Sequence, residues 1–390
     1  MHKIPDLDLG AAANAFRDEV RDWLAAEPRW VPNNDPGVPH NHRLADRDFA
    51  AKLGARGWLS LSWPKEWGGQ ARSPLEQLAF EEEMAYAGAP DMYYATGATM
   101  MAPAIIKCGT PAQCEAYLPG IRSGKASYGL GYTEPESGSD LAGMRTRATR
   151  DGDDWVIQGQ KIFTTSAGFA THMWLAARTD PNNKRHGGLS MFIVPMDTPG
   201  ITMHPMISLS DHRSNTVFYD SVRVPASALI GELHGGWKVI TTALAYERVL
   251  LASVAARARA YYDRLLAHIV ADAALRVNPL VRDRLGTLAC EIEAARMFAF
   301  QTALVMEQGG VPIVEAAISK VFSSELMQRV TSTAMELLGT GATLAPGETG
   351  ALIDGVAQFG LRDSLLYTIG GGTNEIQRNL IAIRGLGLPR

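Results

Sequence analysis

The sequence is short of cysteine, of long apolar runs and of any excess of one charge, and each shortage closes off a class of protein. Its three cysteines, Cys108, Cys114 and Cys290, form no CxxC pair and no metal-ligand cluster. A disulfide framework and a structural zinc site are therefore not expected, and the three read as packed thiols. No stretch approaches the roughly 20 uninterrupted apolar residues that span a bilayer. The opening residues Met1-His2-Lys3-Ile4-Pro5-Asp6 lack the apolar core of a signal peptide, so the cytoplasm is the default compartment. A formal net charge of -4 lacks the basic excess typical of nucleic-acid binders. His172, His186, His204, His212 and His234 are scattered without metal-ligand spacing. Walker loop, nucleophile elbow, Rossmann fingerprint and solenoid repeat are all missing.

What is present is a chain of 390 residues, 46% hydrophobic and 20% charged, able to bury one large core or two to three smaller ones. From Leu9 to about Gly124 apolar residues recur at helical spacing, interrupted by a proline-rich loop from Pro28 to Pro39. Between about Ser127 and Gly231 the pattern turns to short β-branched and aromatic runs: Trp155 to Ile157, Met173 to Ala176, Met191 to Val194, and Val217, Tyr219, Val222 and Val224. After Gly235-Gly236 helical spacing returns, up to a glycine turn at Gly370-Gly371-Gly372 and a closing helix. The order helical, β, helical predicts an α+β fold with domains at 1–126, 127–234 and 235–390. Met100, Met101 and Met297 lie in apolar helical runs and read as core filler, while Arg257 and Arg259 read as solvated charges flanking an apolar stripe.

One carboxylate breaks the pattern. Glu247 falls in register with Ile240, Leu244, Leu251 and Val254, at spacings of four and three, on the apolar stripe of a predicted helix. A buried carboxyl without a partner has a raised pKa, the condition a general base needs near neutral pH. A buried salt bridge is the alternative, although adjacent Arg248 points to a different helix face. Two loops also stand out. Tyr132-Thr133-Glu134-Pro135-Glu136-Ser137-Gly138-Ser139-Asp140 can aim hydroxyls and N–H groups at a polar ligand, or simply form a solvated turn. Gly159-Gln160-Lys161-Ile162-Phe163-Thr164-Thr165-Ser166-Ala167-Gly168 is an apolar strand ending in hydroxyls and a small-residue turn.

Together these segments resemble the acyl-CoA dehydrogenase family. Thr133-Glu134-Pro135 with Ser137-Gly138-Ser139-Asp140 resembles the family's first flavin signature, and Gly159-Gln160-Lys161 leading to Thr165 the second. Further matches are Trp63-Pro64-Lys65-Glu66-Trp67-Gly68-Gly69, Glu247-Arg248, and Gly372-Thr373-Asn374-Glu375-Ile376-Gln377-Arg378, in the family's order along the chain. The resemblance implies an N-terminal helical domain, a middle β-barrel or sandwich and a C-terminal helical bundle. It also implies noncovalent FAD between the β domain and the C-terminal helices, and oxidation of an acyl-CoA thioester to a trans-2-enoyl product. Carried over by position, Thr133 and Thr165 hydrogen-bond the flavin ring, Phe163 packs beside it where the family commonly has tryptophan, Ser139 contacts the pantetheine arm, and Thr373 and Glu375 approach the FAD.

The catalytic base departs from the commonest family pattern. Many members hold a glutamate immediately before Gly-Thr in the C-terminal turn, where this chain has Gly371. A set resembling isovaleryl- and long-chain acyl-CoA dehydrogenases carries it on a helix just before an arginine, the position of Glu247-Arg248; Arg248 is then a substrate-side residue. The resemblance implies that the Gly371 N–H helps hold the thioester oxygen against enolate-like charge. The missing side chain suggests a wide or branched acyl pocket.

Two further departures concern assembly. The arginine before Phe-Gly that reaches a neighbouring subunit's FAD in the family has no clear match; Arg276, Arg282 and Arg284 are the candidates. Glu336, ahead of Gly339-Thr340-Gly341, replaces a glutamine. A homotetramer is the simplest expectation, with a heteromer of two unlike family members open, and electron-transferring flavoprotein is the expected acceptor. The alternatives are a non-catalytic partner subunit and a flavin oxidase of the same fold.

Overall fold

The computed structural model describes residues 5–27, 45–183, 185–250 and 252–389, without the side chains of 247–250 and 252. The proline-rich loop from Pro28 to Pro39 lies outside the described residues, as does Leu251 of the stripe around Glu247. In chain order the elements used below are α1 (Ala11–Ala26), α2 (Arg47–Ala55), α3 (Pro74–Ala87), α4 (Ala102–Cys108), α5 (Pro111–Arg122), β1 (Tyr128–Gly131), β2 (Arg147–Asp151), β3 (Asp154–Lys161), β4 (His172–Arg178), β5 (Leu189–Pro195), β6 (Ile201–Ile207), β7 (Arg213–Pro225), β8 (Leu229–Ile230), α6 (Gly236–Leu250), α7 (Ala252–Ala271), α8 (Ala273–Val277), α9 (Pro279–Glu307), α10 (Ile313–Leu338), α11 (Val356–Ile369) and α12 (Asn374–Leu380). By its internal contacts the chain forms two compact units, one of Asp35–Arg72 and Pro90–Glu247, the other of Met1–Asn34, Ser73–Ala89 and Arg248–Arg390.

The first unit is built on a sheet ordered β6-β7-β3-β2-β4-β5-β8, with β1 added in parallel to β4. The expected apolar runs all lie in strands, and their inward residues Trp155, Ile157, Met173, Leu175, Phe192, Val194, Val217 and Tyr219 form one core. On β7 the inward set slips by one residue between Tyr219 and Val222. The slip falls at Ser221, whose φ is 52°, opposite a register break between Ile157 and Gly159 on β3. Such a bulge bends the strand and strengthens its twist. The Gln158 carboxamide closes it by accepting from Ser221 N at 3.1 Å. Gln113 of α5 donates to the carbonyls of Ser227 and Leu229 at 2.8 and 2.7 Å, fastening that helix to the start of β8. Met100 and Met101 are core residues, as their pattern suggests.

The second unit is helical. α7, α9, α10 and α11 share one core in which α9 contributes Val281, Leu285, Leu288, Ile292 and Ala295, at spacings of four and three. Cys290 and Met297 lie off that stripe, so Cys290 is exposed and Met297 is 47% exposed rather than packed. Two of its helix starts pair a side-chain cap with a following proline. Ser73 caps α3 in a reciprocal box with Glu76, and Asn278 caps α9 by accepting from Leu280 N and Val281 N, each ahead of a proline at the first helical position.

Charged side chains hold the segment before α1 in place. Arg17 is 4% exposed and donates to the Leu7 carbonyl at 2.7 Å; Arg296 is 2% exposed and donates to the Pro5 carbonyl at 2.7 Å. Both guanidiniums face buried Glu82, at 3.4 Å from Arg17 and 3.8 Å from Arg296. Burial raises the Glu82 carboxyl above its ordinary value against the pull of those arginines. Arg259 is not the solvated charge its sequence position suggests. It pairs with Asp6 at 3.3 Å and Asp263 at 3.9 Å, and lies over the Tyr86 ring. Removing one partner from a buried charge cluster leaves the others uncompensated. Arg296→Met should therefore lower unfolding stability by about 3 kcal/mol, read as a fall in the urea midpoint.

Candidate active site

In the sheet unit, the two hydroxyl-bearing loops meet. β1 runs into Tyr132-Thr133-Glu134, and β3 runs into Ile162-Phe163-Thr164-Thr165. Ile162 N donates to the Thr133 carbonyl at 2.8 Å. Glu134 and Ser137 close a tight turn by exchanging backbone hydrogen bonds of 3.0 Å, and the Ser137 hydroxyl donates to the Asp140 carbonyl at 2.6 Å. Ser139 stands exposed at the tip, while Thr133 and Thr165 are half-buried.

Close approach at this meeting point demands glycine at position 159. A Cβ there would come within 2.6 Å of Thr146 Oγ1 and within 2.8 Å of the Thr146 backbone. Beneath the loops lies a buried ion pair. Lys161 is 0% exposed, and its Nζ donates to Glu134 Oε1 at 2.8 Å and to the Tyr132 carbonyl at 3.0 Å. Glu134 also accepts from Arg145 N at 2.6 Å and Thr146 N at 2.9 Å. Burial raises the Glu134 carboxyl, but the Lys161 charge and these N–H groups together hold it below the usual carboxylate range. Burial pushes the fully enclosed Lys161 ammonium down to about 8 against the upward pull of Glu134.

Past Lys161 the chain turns outward. Phe163 has φ 57° and is 62% exposed, a strained backbone presenting an aromatic face. Asn215 of β7, fully buried, holds the turn from below. Thr164 N donates to the Asn215 carbonyl at 3.1 Å, and Asn215 Nδ2 donates to the Thr164 carbonyl at 3.0 Å. The buried Thr164 hydroxyl has no hydrogen-bond partner among the described residues. An exposed ring beside threonine side chains and an unspent buried hydroxyl suit a planar heteroaromatic group with a polar edge, and a flavin ring meets that description.

Motif reading alone gave Lys161 and Asn215 no role, although a signal for each was available. Lys161 shares the inward phase of Trp155 and Ile157, and Asn215 that of Val217 and Tyr219. A polar residue on an inward phase must have a partner.

The helical unit carries the glycine turn and the motif that follows it. Gly371 and Gly372 have φ 66° and 80°, in the left-handed region that favours glycine. Gln377 Nε2 donates to the Gly371 carbonyl at 3.0 Å. Thr373 caps α12, its hydroxyl accepting from Ile376 N at 3.3 Å. Exposed Glu375 is held below the usual carboxylate range by a backbone N–H and then by the Thr373 hydroxyl. Asn374 is buried and accepts from Lys320 Nζ at 2.8 Å, which pins the turn to α10. Of the three candidate arginines, Arg284 forms an exposed ion pair with Glu336. The Glu247 backbone lies in α6, where Ile240 and Ala243 are buried. The side chains of Glu247 and Arg248 lie outside the described residues.

Three family models match consecutive parts of the chain: acyl-CoA dehydrogenase N-terminal domain over residues 11–125, middle domain over 129–222 and C-terminal domain over 234–386. The chain belongs to the acyl-CoA dehydrogenase family. It is 38% identical over 354 residues to acyl-CoA dehydrogenase FadE26 of Mycobacterium tuberculosis, covering 88% of each chain. Among solved structures it is similar to the Tcur3481-Tcur3483 steroid ACAD (TM-score 0.90, 35% identity, 98% of this chain and 100% of that one). It is also similar to the ChsE4-ChsE5 complex of Mycobacterium tuberculosis (TM-score 0.89, 35% identity, 100% of both chains). This acyl-CoA dehydrogenase is an FAD-dependent oxidoreductase acting on acyl-CoA thioesters, with the family's fold. Among the described residues no helix is long and apolar enough to cross a membrane.

The Lys161 ammonium gives the site a stability signature. From about pH 8 up to the ordinary lysine value, the unfolded chain holds a proton that the folded chain has released, so this group makes stability rise with pH across that window. Subtracting the urea midpoints of Lys161→Met from those of the wild type between pH 7 and 10 should leave a difference that increases above about pH 8. A flat difference would show that the ammonium is not desolvated.

Proposed function

We propose that this dehydrogenase uses Glu247 as its general base and acts on a bulky or branched acyl-CoA. The observation that carries the assignment is the glycine turn. Position 371, where many relatives hold the basic glutamate, has a left-handed φ of 66° and no side chain, so it supplies a backbone N–H and no proton acceptor. Glu247, carried by α6, takes the proton from the carbon next to the thioester carbonyl. The Gly371 N–H donates to the thioester oxygen and stabilises the enolate-like charge as the proton leaves. When bound, FAD supplies the acceptor for the hydride from the neighbouring carbon, which leaves a trans-2-enoyl thioester. Thr133 and Thr165 hydrogen-bond the flavin ring, Phe163 packs on it, and Thr373 and Glu375 contact the cofactor. Ser139 and Arg248 contact the substrate. Electron-transferring flavoprotein takes the electrons onward, in the cytoplasm.

Absence of a side chain at Gly371 leaves volume for a wide acyl group, and one relative of 35% identity is described as a steroid ACAD. Two solved relatives are named as pairs of chains. That favours a second reading of assembly, a heteromer with an unlike family member, beside the simpler homotetramer. Glu247→Gln keeps size and removes proton acceptance. It should retain FAD while turnover falls by roughly 100- to 10,000-fold, followed as loss of flavin bleaching by acyl-CoA. Near-normal turnover would reject Glu247 as base. With a panel of straight, branched and ring-bearing CoA thioesters, the wild type should bleach fastest with the bulky ones. A colourless protein that needs a second chain for activity would instead support the partner-subunit reading.

A further inference from the structure

We propose that the buried pair Lys161–Glu134 is a positioning clasp for the cofactor, setting Thr133 and the Phe163-Thr164-Thr165 turn in one register against the flavin ring. The inference rests on reading this surface as flavin-facing.

Two stretches, 132–134 and the chain at Met144, converge on one ammonium carried by a third. Lys161 Nζ reaches the Tyr132 carbonyl at 3.0 Å, Glu134 Oε1 at 2.8 Å and Met144 Sδ at 3.7 Å. Tyr132 and Glu134 are the two neighbours of Thr133, so one charge holds the chain on both sides of that threonine. The Thr133 carbonyl is taken by Ile162 N at 2.8 Å, the residue after Lys161. Thr133 is thus fixed at three consecutive points, none of which uses its hydroxyl. The far side is tied as well: Glu134 accepts from Arg145 N and Thr146 N, the Thr146 hydroxyl donates to the Gln160 carbonyl at 3.1 Å, and the Tyr132 hydroxyl accepts from Trp174 Nε1 at 2.9 Å.

Within two residues the chain passes from a completely enclosed ammonium at Lys161 to a ring 62% exposed at Phe163. A buried ion pair adds little net stability compared with apolar packing, because both charges lose water. Directional bonds do restrict geometry, and here they restrict the two segments that bear the flavin contacts. A placement error of about 1 Å in a supporting shell is enough to loosen a site.

The test separates placing from folding. Lys161→Met leaves the Glu134 carboxylate without its cation and should lower both the melting temperature and FAD affinity. The double variant Lys161→Met/Glu134→Gln removes both charges and keeps their size. It should recover most of the melting temperature, yet bind FAD at least about tenfold more weakly than wild type, with a visible spectrum closer to free flavin. Affinity is read by titrating apoprotein with FAD, and the spectrum on the saturated protein. A double variant with wild-type affinity and spectrum would overturn the clasp and reduce the pair to a folding element. A wild-type apoprotein that binds no FAD would overturn the flavin-facing reading itself, which no result with the double variant could do.

Discussion

A charge shut away from water must be met by fixed dipoles and an opposite charge, and the enclosed ammonium of Lys161 imposes that demand on the middle of this enzyme. Its partners are a carboxylate, a backbone carbonyl and a thioether, drawn from stretches as far apart in sequence as Tyr132 and Met144. Satisfying them requires the loop after β1, the chain entering β2 and the end of β3 to sit at one point. Gly159 allows the backbones to come that close, and the bulge at Ser221 bends β7 alongside. The exposed ring of Phe163 and the half-buried threonines stand on that frame.

The helical unit meets the same physical problem differently. Two of its buried charges are Arg17 and Arg296, whose planar forks divide their donors between carboxylates and main-chain carbonyls. Arg17 and Arg296 each bond a carbonyl of the segment before α1 while facing Glu82, and Arg259 joins Asp6 to Asp263. The short segment, whose Leu9 also packs with Leu78, Ala79, Ala299 and Ala303, is thereby fixed onto helices α3, α7 and α9. The glycine turn at 370–372 is held by comparable means, with Asn374 bonded to the Lys320 ammonium. Rigid support beneath a turn of glycines matters, since such a turn has little conformational preference by itself.

Much of this was legible in the chain. Short β-branched and aromatic runs mark the strands, helical spacing marks the long helices, and the flavin-type segments stand out by composition and order. The anomalous inward positions of Lys161 and Asn215 were equally visible but have meaning only once partners are known. A helical pattern says which face a residue occupies but not what other elements cover it, which is why Asp6, Asp263 and Tyr86 around Arg259 are not foreseen; Cys290 and Met297 instead lie off the inward stripe of α9. The cap-proline starts at Ser73-Pro74 and Asn278-Pro279 were local signals of helix boundaries that hydrophobic periodicity alone passes over.

The sequence by itself determined the alternation of helical and β segments, the family and the chemistry that goes with it, because these depend on side-chain periodicity and on short ordered motifs. Only the tertiary structure decided that Glu134 serves Lys161, that Arg284 pairs with Glu336 and that Phe163 stands clear on a left-handed backbone. Each of those facts is a distance or an angle set by packing between stretches remote in sequence or by the bend of the chain, and neither is encoded at a single position.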